Sequence, residues 1–147
     1  MKTFDVAVIG AGIVGLVQAL ALKNSGLKVA VIDSQEAPVM PDGPAQLRVS
    51  ALTLATQNVL QALGAWQALD ASRIAAYNSM LVWEQDSFAK IEFVATEVKQ
   101  QQLGYIVENQ ALVASLWQQA QQADFIELYA QCDIKQLALS PQGNFIS

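Results

Sequence analysis

The feature that most constrains this chain is Gly10-Ala11-Gly12-Ile13-Val14-Gly15, a GxGxxG set between two apolar runs. Phe4 to Ile9 is short, β-branched and ended by Gly10, which predicts a fully buried strand. Ile13 to Ser25 is rich in Ala, Leu and Val and closed by Gly26, which predicts a helix. Lys28 to Ile32 predicts a second buried strand that ends at Asp33. Strand, helix and strand within about 30 residues make a βαβ unit, so the strands should be parallel with a right-handed crossover. In that setting Gly10 allows the tight turn off the strand and Gly12 lets the backbone approach a pyrophosphate. Gly15 lets the helix pack close to the sheet. The helix N-terminus then offers unpaired N–H groups and a positive dipole end to phosphate.

Asp33 lies about 20 residues past the glycines, where a carboxylate can accept hydrogen bonds from both adenosine ribose hydroxyls. It would repel a 2′-phosphate, which disfavours NADP at this site. Two plainer readings compete: a small-residue helix packing against a strand, with Asp33 only capping a turn, and a small-xxx-small stripe of the membrane type. The strand before the glycines and the acid after the second strand favour dinucleotide binding, with Ala11, Ile13, Val14 and Ser34 completing the cradle. NAD and FAD share the ADP half, so the fingerprint does not choose between them.

The apolar stretch from Val6 to Leu22 also resembles a signal peptide or a span. Asp5 at its front edge, three glycines and Gln18 inside it, and the lack of a small-residue cleavage site argue against both.

Composition closes off other chemistries. The 147 residues are about one domain, and 53% hydrophobic against 14% charged is enough to bury a core. A net charge of −5 with eight scattered Lys and Arg supplies no basic patch for nucleic acid. Without histidine, a Ser-His-Asp or Cys-His unit and any histidine-ligated metal are excluded. Cys132 is alone, so there is no internal disulfide, and it reads as a small buried residue. No catalytic side chain stands out: Glu92, Glu97, Glu108 and Asp133 have no spacing that marks an acid/base pair.

Farther along, the prolines and glycine of residues 34–47 predict loop. Ser50 is placed as the N-cap of a helix running to Leu63 and ended by Gly64, with Ala65 to Leu69 as a short second helix. Ser79 to Glu84 and Lys90 to Val94 predict strands, and Gly104 to Val107 another, leading into a helix from Asn109 to Ala123. Phe125 to Ala130 and Asp133 to Leu139 predict two more strands. Ser140-Pro141-Gln142-Gly143-Asn144 then predicts a hairpin turn into Phe145 and Ile146. A hairpin cut off in its second arm reads as an N-terminal piece of something longer. No internal repeat or linker is visible.

Arg48-Val49-Ser50-Ala51-Leu52-Thr53, delivered by a Pro-rich loop and followed by a helix ending Leu60-Gln61-Ala62-Leu63-Gly64-Ala65-Trp66, is not what an ordinary NAD dehydrogenase has there. Together with GxGxxG, it resembles the FAD-dependent aromatic hydroxylases of the para-hydroxybenzoate hydroxylase fold. Leu103-Gly104-Tyr105-Ile106-Val107-Glu108-Asn109 looks like the ubiquinone-biosynthesis branch, which hydroxylates polyprenylated phenols. The resemblance covers nearly all of the chain but only the N-terminal third or so of such a protein. It implies an α/β fold: a Rossmann-like FAD-binding βαβ with a parallel sheet, plus the beginning of a mixed β substrate-binding sheet over residues 77–100.

It further implies that Gly10, Gly12 and Gly15 cradle the FAD pyrophosphate and that Asp33 holds the ribose, where the family often has glutamate. Arg48, beside Val49, would lie along the phosphates or ribityl chain, and Asn109 would begin the helix facing the flavin side chain. Their plain readings are a surface arginine and an N-cap. Gln18 departs from the family's usual apolar residue and should face a helix edge. Trp66, Trp117, Tyr77 and Tyr105 read as packing, while Trp83 and Phe93 fall where the substrate sheet would start. The implied chemistry is NAD(P)H-driven, FAD-dependent hydroxylation of an aromatic ring by oxygen. The implied setting is cytoplasmic, peripheral at the inner membrane or in a biosynthetic complex. Another FAD- or NAD-linked oxidoreductase, or a nucleotide-binding piece without catalysis, are the competing readings.

Overall fold

A computed structural model describes residues 2–140 and 143–147. In chain order its elements are β1 (Val6–Ile9), α1 (Ile13–Ala21), β2 (Val29–Ile32), β3 (Val49–Thr53), α2 (Leu54–Ala62), β4 (Ile74–Tyr77), β5 (Ser79–Trp83), β6 (Lys90–Val94), β7 (Gly104–Glu108), α3 (Asn109–Gln121), β8 (Ile126–Tyr129), β9 (Leu137–Ala138) and β10 (Phe145–Ile146). Short 3-10 turns at Ala71–Arg73 and Ala95–Val98 precede β4 and follow β6. The chain forms two compact units, one of Met1–Val39 with Leu116–Ser147 and the other Met40–Ser115.

The first unit holds a parallel sheet in the order β1-β2-β8. Val6 to Ile9 pair with Val29 to Ile32, which pair in turn with Ile126 to Tyr129. Val29 and Val31 are fully buried, as are Leu16 and Ala19 of α1. A parallel sheet with a crossover helix hides its middle strand on both faces, which is why β2 reads as an unbroken apolar run. This is the α/β class and parallel sheet that the βαβ pattern implies.

The second unit is antiparallel. β7 lies between β3 and β4, and β5 with β6 forms a separate hairpin. Leu52, Leu60, Ala65, Val107, Ala111 and Leu112 are among its buried residues. Buried Ser115 donates its hydroxyl to the Ala65 carbonyl.

Several sequence expectations give way here. Ser50 is not a helix N-cap: it lies in β3, paired with Val107. Five consecutive pairs with β7 outweigh the local capping signal. Thr53 takes the capping role instead, its Oγ1 accepting the Thr56 N–H at 3.2 Å. Ala65 to Leu69 forms turns, not a second helix. Gly64 at φ +78° reverses the chain, and the N–H groups of Ala65 and Trp66 both return to the Leu60 carbonyl.

α1 stops at Ala21, four residues early, where Ser25 donates its hydroxyl back to the Leu22 carbonyl at 2.7 Å. The local sequence does not predict β4, because Ala75 and Ala76 carry little strand propensity; pairing with β7 creates it. Of Asp133 to Leu139 only Leu137–Ala138 is strand, paired with Phe145–Ile146 as the hairpin pattern required. Pro141 and Gln142, at the expected turn, lie outside the described residues.

Candidate functional site

The glycine cradle is built at the end of β1. Gly10 turns the chain with φ +100°, a conformation that L side chains rarely adopt, while its N–H donates to the Ile32 carbonyl at 2.8 Å. A Cβ on Gly15 would stand 2.0 Å from the Gly10 carbonyl oxygen, so only glycine lets α1 start this close to the strand. Gly12 is different: a Cβ there would meet nothing within 4 Å. Its lack of a side chain serves no packing within the protein.

Gly12 is also the N-cap of α1 and has no side chain to cap it; no acidic residue lies in the first turn. The first backbone bond back runs from Leu16 to the Gly12 carbonyl, at 3.0 Å. The N–H groups of Ile13, Val14 and Gly15 therefore have no partner within the helix. With the dipole behind them, they suit an anion. Val14 is 82% exposed and Ile9 57%. Together with Gly10, Gly12, Ile13 and Gly15 they line an open cleft of about 510 Å³, with Gln18 at its side. Gln18 is exposed on α1, in keeping with a helix-edge position.

Asp33 is half-buried just beyond β2. One carboxylate oxygen accepts the Ala11 N–H at 2.5 Å and the other the Gln35 N–H at 2.7 Å. It therefore caps a turn and also ties the glycine loop to the end of β2. A carboxylate has about four acceptor positions, so ribose hydroxyls can still be served. Ser34 is exposed beside it. The chain after β8 folds against this point: the Cys132 N–H donates to the Asp33 carbonyl and the Gln131 N–H to the Gln35 carbonyl, both at 2.9 Å. Gln131 has φ +55°. Cys132 is half-exposed, contrary to its expected burial, because it sits in this surface turn rather than in β8. The open space at Gly12, the uncapped helix and the placed carboxylate fit an adenine dinucleotide.

The second unit carries the other candidate residues. Arg48 and Val49 are exposed at the start of β3. No hydrogen bond or ion pair among the described residues engages the Arg48 guanidinium, but its carbonyl accepts the Asn109 N–H at 3.0 Å. Asn109 is the first residue of α3, and its Oδ1 accepts the Ser50 hydroxyl at 2.6 Å.

Sequence reasoning missed the pair beside them. Arg73 Nη1 donates to both Glu108 carboxylate oxygens, at 3.1 and 2.8 Å, and its Nη2 to the Gly43 carbonyl at 2.8 Å. The two side chains are only 9% and 6% exposed. The available signal was an acid ending an otherwise apolar strand, which demands a cation; the chain has two arginines, Arg48 and Arg73, to offer its planar fork. Of the aromatics, Trp66 packs edge-on to Tyr105 at 5.0 Å and Trp117 is buried, whereas Trp83 and Phe93 are exposed on the β5–β6 hairpin.

The family described as FAD binding domain matches residues 3–142. The chain is 39% identical over 115 residues to 3-demethoxyubiquinol 3-hydroxylase of Escherichia coli K12, covering 78% of this chain and 29% of that protein. It is 34% identical over 126 residues to the mitochondrial ubiquinone biosynthesis monooxygenase COQ6 of Danio rerio, covering 82% and 26%. The chain thus spans under a third of the length of these curated relatives. The crystal structure of p-nitrophenol 4-monooxygenase from Pseudomonas putida shares the fold at TM-score 0.68 and 18% identity, covering 99% of this chain and 39% of that one.

Proposed function

This chain belongs to the FAD-binding-domain family, and from that premise we propose that the whole protein is a flavoprotein monooxygenase. It hydroxylates an aromatic ring, a polyprenylated phenol of ubiquinone biosynthesis, using NAD(P)H and oxygen. Two relatives whose names carry ubiquinol or ubiquinone hydroxylation and monooxygenation support the substrate class. One observation carries the cofactor reading: Gly12, open on its Cβ side, at the mouth of an uncapped helix and beside a carboxylate-tied loop.

FAD, when bound, supplies the redox and oxygen chemistry. The protein's own residues bind and orient it. The N–H groups of Ile13, Val14 and Gly15 receive the pyrophosphate, and Gly10 and Gly12 leave its approach clear. Asp33 and the neighbouring Ser34 take the adenosine ribose. Arg48 with Val49 meets the phosphates or the ribityl chain, and Asn109 the flavin side. The exposed Trp83 and Phe93 belong to the start of a substrate-binding sheet. Residues 1–147 form the N-terminal part of the FAD-binding domain, with 77–100 reaching toward the substrate domain. A polyprenylated substrate calls for work at a membrane surface, with peripheral attachment from the cytoplasm; among the described residues no helix is long and apolar enough to cross a membrane.

The test uses the whole protein stripped of flavin. It should bind FAD and ignore NAD at the same concentration. With NADPH or NADH, oxygen and a polyprenylated phenol, it should yield a product with one added oxygen atom. Tight NAD binding with no flavin retained would make it an NAD-linked oxidoreductase. FAD binding without hydroxylation of any such phenol would leave a nucleotide-binding protein of different chemistry.

A further inference from the structure

We propose that Arg73 is a positioning residue for the arm that carries Arg48; this rests on the reading that Arg48 meets the flavin nucleotide. The segment from Gly43 to Val49 contains Pro44 and forms no regular structure before β3. One guanidinium holds both of its ends. At the near end, Arg73 Nη2 donates to the Gly43 carbonyl at 2.8 Å. At the far end, Nη1 grips Glu108, whose backbone pairs with Val49 across β3 and β7. Asn109, the next residue, donates its N–H to the Arg48 carbonyl. Arg73 itself is set by the 3-10 turn Ala71–Arg73, capped by Asp70, which accepts the Ser72 N–H at 2.9 Å. Directly after it, Ile74 pairs with Val107 on the other edge of β7.

The two arginines therefore have divided work. The Arg73 fork is buried and engaged through both terminal nitrogens, while the Arg48 fork is exposed and engaged by no described residue. A buried ion pair is a poor source of net stability, since apolar residues of similar volume often do as well. What it supplies here is a fixed backbone on both sides of Arg48. A planar fork can meet a carboxylate and a carbonyl at once, which a single ammonium cannot do with the same geometry.

The experiment is a thermodynamic cycle for FAD binding, in the whole protein, between Arg48→Ala and the clamp. The clamp is removed by Arg73→Met with Glu108→Leu together, so that no buried charge is left alone. In the wild type, Arg48→Ala should weaken FAD binding by roughly tenfold or more, as for a charge-assisted contact. In the clamp-free protein, at unchanged melting temperature, FAD binding should already be weakened. There the further loss from Arg48→Ala should shrink to about twofold or less, because the two changes act through one arm. Arg73→Lys, which retains the charge and loses the fork, should show the same coupling in weaker form and serves if the double variant does not fold. An equal effect of Arg48→Ala in both backgrounds overturns the proposal. So does wild-type FAD affinity in the clamp-free protein. No effect of Arg48→Ala even in the wild type overturns the underlying role of Arg48, and the clamp then has nothing to position. Loss of FAD binding on Gly12→Ala in that same protein would show that the cradle reading survives.

Discussion

Asp33 and Glu108 stand at corresponding places in the two units, one just past the end of β2 and the other closing β7, yet they do opposite things. Asp33 is half-exposed and, among the described residues, its carboxylate is bonded to backbone N–H groups of its own loop and the glycine loop. Its charge stays available to a ligand, and lone pairs are left over. Glu108 is buried and met by a guanidinium through both oxygens. Its charge is cancelled inside the protein, and what remains is mechanical. A carboxylate held by backbone donors can recognise; one held by a fork can only brace. The same contrast separates the arginines, Arg73 braced and Arg48 unengaged.

The largest effect should come from breaking the braced side. Arg73→Met alone leaves Glu108 buried and unpaired, and unfolding in urea should show a loss of about 3–5 kcal/mol. The paired substitution of both residues should recover most of it. If the single change costs no more than a surface substitution, Glu108 is not braced as described.

In the cradle, Gly15→Ala should come next. The clash is with a backbone carbonyl, which cannot step aside, so about 1–3 kcal/mol of overpacking strain is expected on thermal unfolding. Gly12→Ala sharpens the contrast within that loop. Its stability should fall by no more than about 1 kcal/mol, the cost of alanine at an N-cap, since the added methyl meets nothing, while FAD affinity drops roughly tenfold or more by titration. A Gly12→Ala protein that binds FAD normally would remove Gly12 from the site.

Thr53→Ala should cost about 1 kcal/mol by removing the cap of α2, and Ser50→Ala should leave that helix unaffected, because Ser50 belongs to the strand.

The smallest effect lies on the surface. The Lys2 ammonium donates to the Glu127 carboxylate, and the Tyr129 hydroxyl donates to it as well, holding its pKa below the ordinary 4.5. A depressed carboxylate adds stability above its ordinary pKa and loses it as pH falls through the depressed value. Glu127→Gln should therefore lower the melting temperature slightly at neutral pH and match the wild type in acid, which flattens the acid side of the profile. A steeper acid loss in the variant would contradict the pairing.

How legible each region was follows from the range of its contacts. Gly10, Gly12 and Gly15 constrain one another within six residues, and Asp33 follows at a spacing that one crossover helix sets. The tie between Ala11 and Asp33 spans 22 positions, all inside that unit. The local signals of β3, Ser50 and the apolar run after it, are those of a helix start and predict helix there. Nothing in residues 49–53 announces a partner strand at 104–108. Arg73 and Glu108 are 35 positions apart, with a hairpin and a 3-10 turn between them. Neither residue carries a motif.

The sequence by itself determined the βαβ unit, the parallel pairing of its strands, the loop that leaves room at Gly12 and the acid that closes it. These depend on period, chirality and the missing side chains of glycine, all of which act over short spans of chain. Only the tertiary structure decided that Val49–Thr53 is a strand, that Cys132 faces a surface turn, and that one arginine is buried to hold the ends of the arm carrying the other. Those outcomes depend on which distant segment supplies the missing hydrogen-bond partner or countercharge. A buried polar group must find one, but its own sequence does not say where.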